Sequence, residues 1–238
     1  MKLQQLLSQT RKAVDTYKMI NDGDKIAIGV SGGKDSLALL YALKGLQRFY
    51  PNKFELEAIT VSLGFDNFDL SKIHSLCEEL DINYTVVNTN IAEIIFDERK
   101  EKNPCALCAK MRKGALNEMA EKLGCNKIAL GHHKEDIIET MMLSLFYEGR
   151  FHTFSPVTYL DRMKLYSIRP LMYVSEKEII GFKNKYNLPV VKSPCPADGN
   201  TKREYMKNLL MSLEKENPGL MKRLYRSIES SNIKGWDI

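Results

Sequence analysis

No apolar run in the 238 residues approaches the roughly 18–20 needed to cross a bilayer, so a membrane-spanning helix is not expected. Residues 1–12 carry no long apolar stretch and no small-residue cleavage site, which argues against a signal peptide and leaves a cytoplasmic location as the expectation. Internal repeats and low-complexity linkers are also missing, which excludes solenoid and tandem-array architectures. Charge of one sign is scarce: the net value of +5 permits a polyanionic partner without requiring one. Cysteines number only five, an odd count in a chain without secretory features, so a disulfide framework is not expected and any clustered thiols point to metal or redox chemistry. What the chain does have is ordinary for a soluble globular domain, with 44% hydrophobic and 27% charged residues.

Hydrophobic periodicity divides the chain into alternating elements. Leu3, Leu6, Leu7, Val14 and Tyr17 recur at helical spacing and predict an amphipathic helix over residues 2–20, closed by the turn residues 21–24. Short apolar strands are predicted at 25–30, 54–63, 83–87 and 127–130, with helices at 37–46, 69–80, 109–123 and 137–146. Strands alternating with helices of this length predict an α/β fold, a doubly wound, mostly parallel sheet whose strand-end loops share one ligand-binding edge. Two capping boxes, at Ser175–Glu178 and Thr201–Glu204, start further helices, and Lys222, Arg223 and Arg226 gather in a polar helical tail. The chain is read as an N-terminal helix (1–21), a nucleotide domain (22–175) and a C-terminal helical segment (176–238).

The strand at 25–30 runs into Ser31-Gly32-Gly33-Lys34-Asp35-Ser36 and then into a helix. Glycines let the backbone approach a phosphate, and the following helix turns its unpaired N–H groups toward the anion. Lys34 adds a point charge, Ser31 and Ser36 add hydroxyl donors, and Asp35 is suited to holding Mg2+. The spacing is not that of a Walker A loop, because Lys34 is followed by Asp35. The plain alternative is a strand-to-helix turn with two glycines. The motif resembles the pyrophosphate loop of the PP-loop ATPases, a Rossmann-like (HUP-type) group, which implies cleavage of ATP to AMP and pyrophosphate with adenylation of a carbonyl oxygen.

Cys105 and Cys108 lie in a C-x-x-C pair behind Pro104, near Lys110, Arg112 and Lys113, all of which favour a thiolate. With Cys195 they make a set of three, enough to ligate three irons of a 4Fe–4S cluster and leave the fourth open. Zinc would need a fourth ligand, such as Asp198 or a histidine, and a redox pair is the third reading. Cys77 and Cys125 fall in helix or strand-edge patterns and are expected to be buried. Gly131-His132-His133-Lys134-Glu135-Asp136 follows the strand at 127–130 on the same ligand edge. There Gly131 would admit adenine or ribose closely, Asp136 could act as a base or polarise a ring, and Arg112 could stabilise developing negative charge. Val61, at the end of the second strand, and His133 complete the candidate nucleotide contacts. The bland reading is that the histidines cap a helix and Glu135 is a solvated charge.

Taken in order, the Cys105–Cys108 helix, residues 127–150, residues 168–179 and the Cys195 loop resemble the TtcA family of tRNA 2-thiocytidine synthetases over residues 22–210. That resemblance implies an ATP-dependent tRNA sulfurtransferase. Its cofactors would be ATP, Mg2+ and a 4Fe–4S cluster on Cys105, Cys108 and Cys195, with Asp136, Arg112 and Lys34 as catalytic residues. It also implies a tRNA partner, a sulfur donor (sulfide, or a persulfide made by a cysteine desulfurase) and a tendency to form homodimers. Two departures stand out: Asp198 replaces a cysteine of a second C-x-x-C, and Glu135-Asp136 replaces an Asp-Asp pair. A lysidine-synthetase-like ligase leaves the three cysteines without a use, and a non-catalytic zinc- or ATP-bound RNA-binding protein would release no pyrophosphate. The bases Lys110, Arg112, Lys113, Lys202, Arg203 and Lys207 flank the cysteines and would form a positive rim for RNA if the thiols converge.

Overall fold

The computed structural model describes residues 1–66, 68–100, 104–192, 194–196, 201–231, 233, 235 and 236. Helix α1 (Leu3–Thr16) buries Leu6, Thr10, Ala13 and Val14, one stripe at three- and four-residue spacing. Strand β1 (Asp24–Gly29) follows Gly23, whose φ of 78° closes the turn into the sheet. Helix α2 (Lys34–Gln47) buries eight of its residues, from Ser36 to Leu46, and is the central helix on its face of the sheet. Then come β2 (Phe54–Ser62), α3 (Ser71–Glu79), β3 (Asn83–Asn88), the short α4 (Ile91–Glu93) with a π-helical turn over Ile94–Glu98, and α5 (Pro104–Lys122). The remainder is β4 (Lys127–Ala129), α6 (Lys134–Glu148), β5 (Val157–Leu160), β6 (Leu165–Ile168), α7 (Glu176–Lys185), α8 (Lys202–Glu216) and α9 (Leu220–Glu229).

The six strands are ordered β3-β2-β1-β4-β6-β5, parallel throughout except for the antiparallel β5–β6 pair at one edge. Strand order reverses between β1 and β4, so the loops leaving these two strands part and open a crevice at their carboxyl ends. The opposite ends are closed by a buried ion pair, Lys127 Nζ to Asp24 Oδ2 at 2.6 Å. Lys127 also donates to the Met19 carbonyl and Asn126 to the second Asp24 oxygen. Full pairing lets such a charge pair stand in the interior without an orphaned group.

The predicted α/β sheet is present with the expected strands. Helix α5 starts five residues earlier than the periodicity indicated, at Pro104, because proline has no N–H to leave unsatisfied in a first turn. The β5–β6 hairpin had no counterpart in the sequence reading: its four-residue strands are too short to show a period. Residues of α1, α8 and α9, including Leu6, Met206, Leu210 and Tyr225, join the same hydrophobic cluster as α2 and β1. On the other face a smaller cluster packs Ala120 of α5 onto Ala27, Ile59 and Ile128.

Candidate active site

The loop after β1 is braced from within. The Ser31 N–H donates to Ser36 Oγ at 3.2 Å, and that hydroxyl donates to the Gly33 carbonyl at 2.9 Å. Gly32 has φ 83° and its carbonyl accepts from Val191 N–H at 3.0 Å; a Cβ there would press on Val191 and Ile73 at 3.2 Å. Gly33 is the N-cap of α2, so the helix start faces the crevice. Lys34 contacts Asp35 at 3.0 Å and Glu176 at 3.1 Å, and Glu176 also holds Lys207 at 2.7 Å. Burial works against the Lys34 cation, but the two carboxylates outweigh it and its pKa is raised.

The loop after β4 lies against this one. A Cβ on Gly131 would stand 3.0 Å from the Asp35 carbonyl carbon and 3.1 Å from Ser36 N, so the close neighbour of Gly131 is the phosphate-loop backbone. His133 is the N-cap of α6, and its N–H donates to Asp136 Oδ2 at 2.9 Å. The capping reading of this histidine is therefore correct. Its buried ring has Nε2 3.8 Å from Asp35 and 3.5 Å from Asp136, and Nδ1 3.1 Å from Glu135. Burial favours the neutral ring, yet the three carboxylates prevail and raise its pKa. His132 differs: it stacks on Phe154 at 4.5 Å, and burial together with Arg169 pushes its pKa down to about 4.

Between these loops and α5 lies a cavity of 490 Å³, within the ~300–1,000 Å³ range of small-ligand sites. Ser31, Asp35, Ser36, Val61, Gly131, His132 and Asp136 line it, with Arg112 and Lys113 of α5 opposite. Gly32, Gly33, Lys34 and His133 shape or support the loops without lining the cavity. Asp35 Oδ1 is buried in this wall without a hydrogen-bond partner, an arrangement that fits a divalent cation brought in with a nucleotide.

A second cavity of 210 Å³ adjoins the first and shares Ala109 and Arg112 with it. Cys105, Cys108 and Cys195 all line it, beside Phe65, Phe96 and Thr201. Cys105, Cys108, Ala109 and Arg112 occupy one stripe of α5, and Ala109, Arg112, Lys113 and Leu116 carry the stripe into the nucleotide cavity. The sequence reading had expected the bases to favour a thiolate throughout. At Cys108 burial raises the pKa more than Arg112 lowers it, and Cys195 and Cys105 add to the rise.

Among the described residues no three Cys, His, Asp or Glu side chains are grouped to close on one metal ion. Asp198, the fourth zinc ligand considered from sequence, lies outside the described residues. A 4Fe–4S cluster asks for something different, since each thiolate takes its own iron, and three thiols facing one largely apolar cavity meet that demand.

The expected positive rim is partly an internal network. Arg203 reaches Asp136 and Glu139 at 3.2 Å and Thr140 at 3.0 Å, which ties α8 to α6. Glu139, Glu176 and the Phe65–Phe96 wall were not singled out from sequence. The fold pairs Glu139 with Arg203 and Glu176 with Lys207 of α8, contacts between residues too far apart in the chain to leave a local signal.

A model of the PP-loop domain family matches residues 2–214 of the chain. The chain is 41% identical to the tRNA-cytidine(32) 2-sulfurtransferase of Geobacter sulfurreducens over 220 residues, 91% of this chain and 86% of that one. With the enzyme of the same name from Methylobacillus flagellatus it shares 33% identity, covering 98% of this chain and 78% of that one. Among solved structures, the U34-tRNA thiolase NcsA from Methanococcus maripaludis with its [4Fe-4S] cluster superposes at a TM-score of 0.75. That match has 27% identity and covers 93% of this chain and 76% of that one.

Proposed function

The chain belongs to the PP-loop family, and on that premise we propose that it is an ATP-dependent tRNA sulfurtransferase that 2-thiolates a pyrimidine through an adenylated base. The observation that carries this reading is the wall of Ala109 and Arg112 common to the phosphate-loop cavity and the three-thiol cavity. Activation and sulfur delivery demand opposite environments, a hard cationic site for phosphate and a soft one for sulfur, and they must meet at a single carbon. The relatives named as tRNA-cytidine(32) 2-sulfurtransferases support tRNA as acceptor, and the cluster-bearing thiolase supports the ligand set.

In this mechanism the amides at the α2 N-terminus and the Ser31 hydroxyl hold the pyrophosphate of ATP, and Asp35 holds Mg2+. The C-2 oxygen of the pyrimidine attacks the α-phosphorus and pyrophosphate leaves. Arg112, in the wall common to both cavities, offsets negative charge on the phosphate as that bond forms. Asp136 is held by the His133 N–H and by Arg203, so its carboxylate is oriented toward the ring that is being polarised. When bound, a 4Fe–4S cluster on Cys105, Cys108 and Cys195 supplies an open iron as a soft site for sulfur. Sulfide replaces the activated oxygen at C-2, and AMP departs with that oxygen; a cysteine-desulfurase persulfide serves as donor only together with a thiol reductant that releases its outer sulfur as sulfide. No helix among the described residues is long and apolar enough to cross a membrane, and action in the reducing cytoplasm suits cysteines that are not joined in disulfides.

The test is Cys195→Ala, purified anaerobically. Iron and sulfide content and the visible cluster absorbance should fall, thionucleoside should disappear from tRNA by mass analysis, and tRNA-dependent pyrophosphate release should persist. Undiminished thiolation by this variant would remove the cluster from the reaction.

A further inference from the structure

Three large rings stand in the open around the turn that ends α6. Phe146, Tyr147 and Phe151 are 55%, 49% and 76% exposed, within six residues of one another. Grouped exposure of this kind marks a contact surface more often than scattered single residues do. The frame beneath is anchored: Gly149 caps α6 in the left-handed region, Arg150 N–H donates to the Ser144 carbonyl, and the buried Thr153 hydroxyl donates to the Ile137 carbonyl at 2.9 Å. The chain after α6 therefore runs back along the helix and holds the rings outward.

Cations accompany the rings. Lys202 Nζ lies 4.3 Å from the centre of the Tyr147 ring, the geometry of a cation–π contact. Arg150 is paired with Glu148 at 2.6 Å, so the positive excess of the patch comes from Lys202. Lys202 directly follows Thr201, which lines the thiol cavity with Cys105, Cys108 and Cys195. The Tyr147 ring thus lies within the reach of one lysine side chain from a residue that lines that cavity.

Aromatic rings interleaved with cations are how proteins grip unpaired nucleic acid, because every base has a π-face to stack. Duplex RNA is instead held through phosphates and 2′-hydroxyls, for which exposed phenyl rings offer nothing. We propose that Phe146, Tyr147 and Phe151, with Lys202, form a stacking platform for unpaired RNA nucleotides that flank the base presented to the thiol cavity. This rests on the tRNA-thiolation reading and adds to it a place and a mode of RNA docking.

The experiment compares the full-length, cluster-loaded protein with Tyr147→Ala/Phe151→Ala and with Phe151→Trp. Affinity is measured for unmodified bulk tRNA and for a blunt RNA duplex of similar length, alongside ATP affinity and sedimentation mass. The double alanine variant should bind tRNA at least about tenfold more weakly, with duplex and ATP affinities and mass unchanged, whereas the tryptophan variant should keep tRNA affinity. Unchanged tRNA affinity in the alanine variant would overturn the platform. So would a shift in sedimentation mass without loss of tRNA affinity, which would assign the rings to a second copy of the chain. Wild-type protein that grips tRNA through these rings but never thiolates it would sink the sulfur-transfer reading alone.

Discussion

Asp136 shows how one side chain is given two tasks. Its carboxylate caps α6 by accepting from the His133 N–H, accepts an Arg203 guanidinium at 3.2 Å, and still lines the nucleotide cavity. Its negative charge also reaches Glu139, one turn along and 4% exposed. Burial first, and then Asp136, push the Glu139 pKa up to about 7 from an ordinary 4.5, despite Arg203 close by. Below pH 4.5 this group is protonated in folded and unfolded chains alike. From 4.5 to 7 the fold retains a proton that the unfolded chain has lost, so the Glu139 contribution to stability falls as pH rises through that window. Glu139→Gln should therefore melt close to wild type near pH 4.5 and above it beyond pH 7, by an amount on the order of a few kcal/mol. Calorimetric melts across that range check this, and a variant less stable at every pH would show that the Arg203 pair outweighs the burial cost.

At the scale of elements, the site depends on two loops that meet backbone to backbone. Gly131, after β4, presses on Asp35 and Ser36 at the start of α2, where any side chain would have to displace main chain rather than a flexible tip. Gly131→Ala should cost about 1–3 kcal/mol of stability through overpacking. It should also weaken ATP binding at least tenfold, because the displaced atoms belong to the phosphate loop; titration calorimetry and melting together read both effects. Helix α5 plays a different part. Only Ala120 of this helix is buried, so its C-terminal half rests on the sheet while its N-terminal half overhangs the crevice and supplies a wall to both cavities. Helix α8 closes the far side through Arg203 and Lys207, which brings the segment following the Cys195 loop onto α6 and α7.

For the molecule as a whole, the reversal of strand order between β1 and β4 opens the crevice, and the α5 stripe joins that crevice to the thiol cavity. Arg112 is the charged member of the shared wall. Arg112→Ala should bind ATP within a few-fold of wild type while tRNA-dependent pyrophosphate release drops by about 10²–10³, the usual loss when a preorganised donor to developing charge is removed. Single-turnover assays with saturating ATP separate the two effects. An equal loss in ATP affinity would place Arg112 in ground-state nucleotide binding instead.

Local chemistry was enough to determine the alternation of strands and helices, the glycine turn before α2, the capping box at Ser175, the N-cap at Thr201, whose hydroxyl accepts from Glu204 N–H without the reciprocal bond, and the grouping of Cys105 with Cys108. Each of these is set by residues within a few positions of one another, where periodicity, dihedral freedom and hydrogen bonding act directly. Tertiary structure alone decided that Lys34 pairs with Glu176, that Gly131 packs on the phosphate loop while still lining the cavity, and that Arg203 reaches Asp136 across 67 positions. It also decided that Cys195 faces the same cavity as the pair on α5. Those contacts join residues far apart in the chain, and whether two such groups meet depends on strand order and helix packing, which no local pattern encodes.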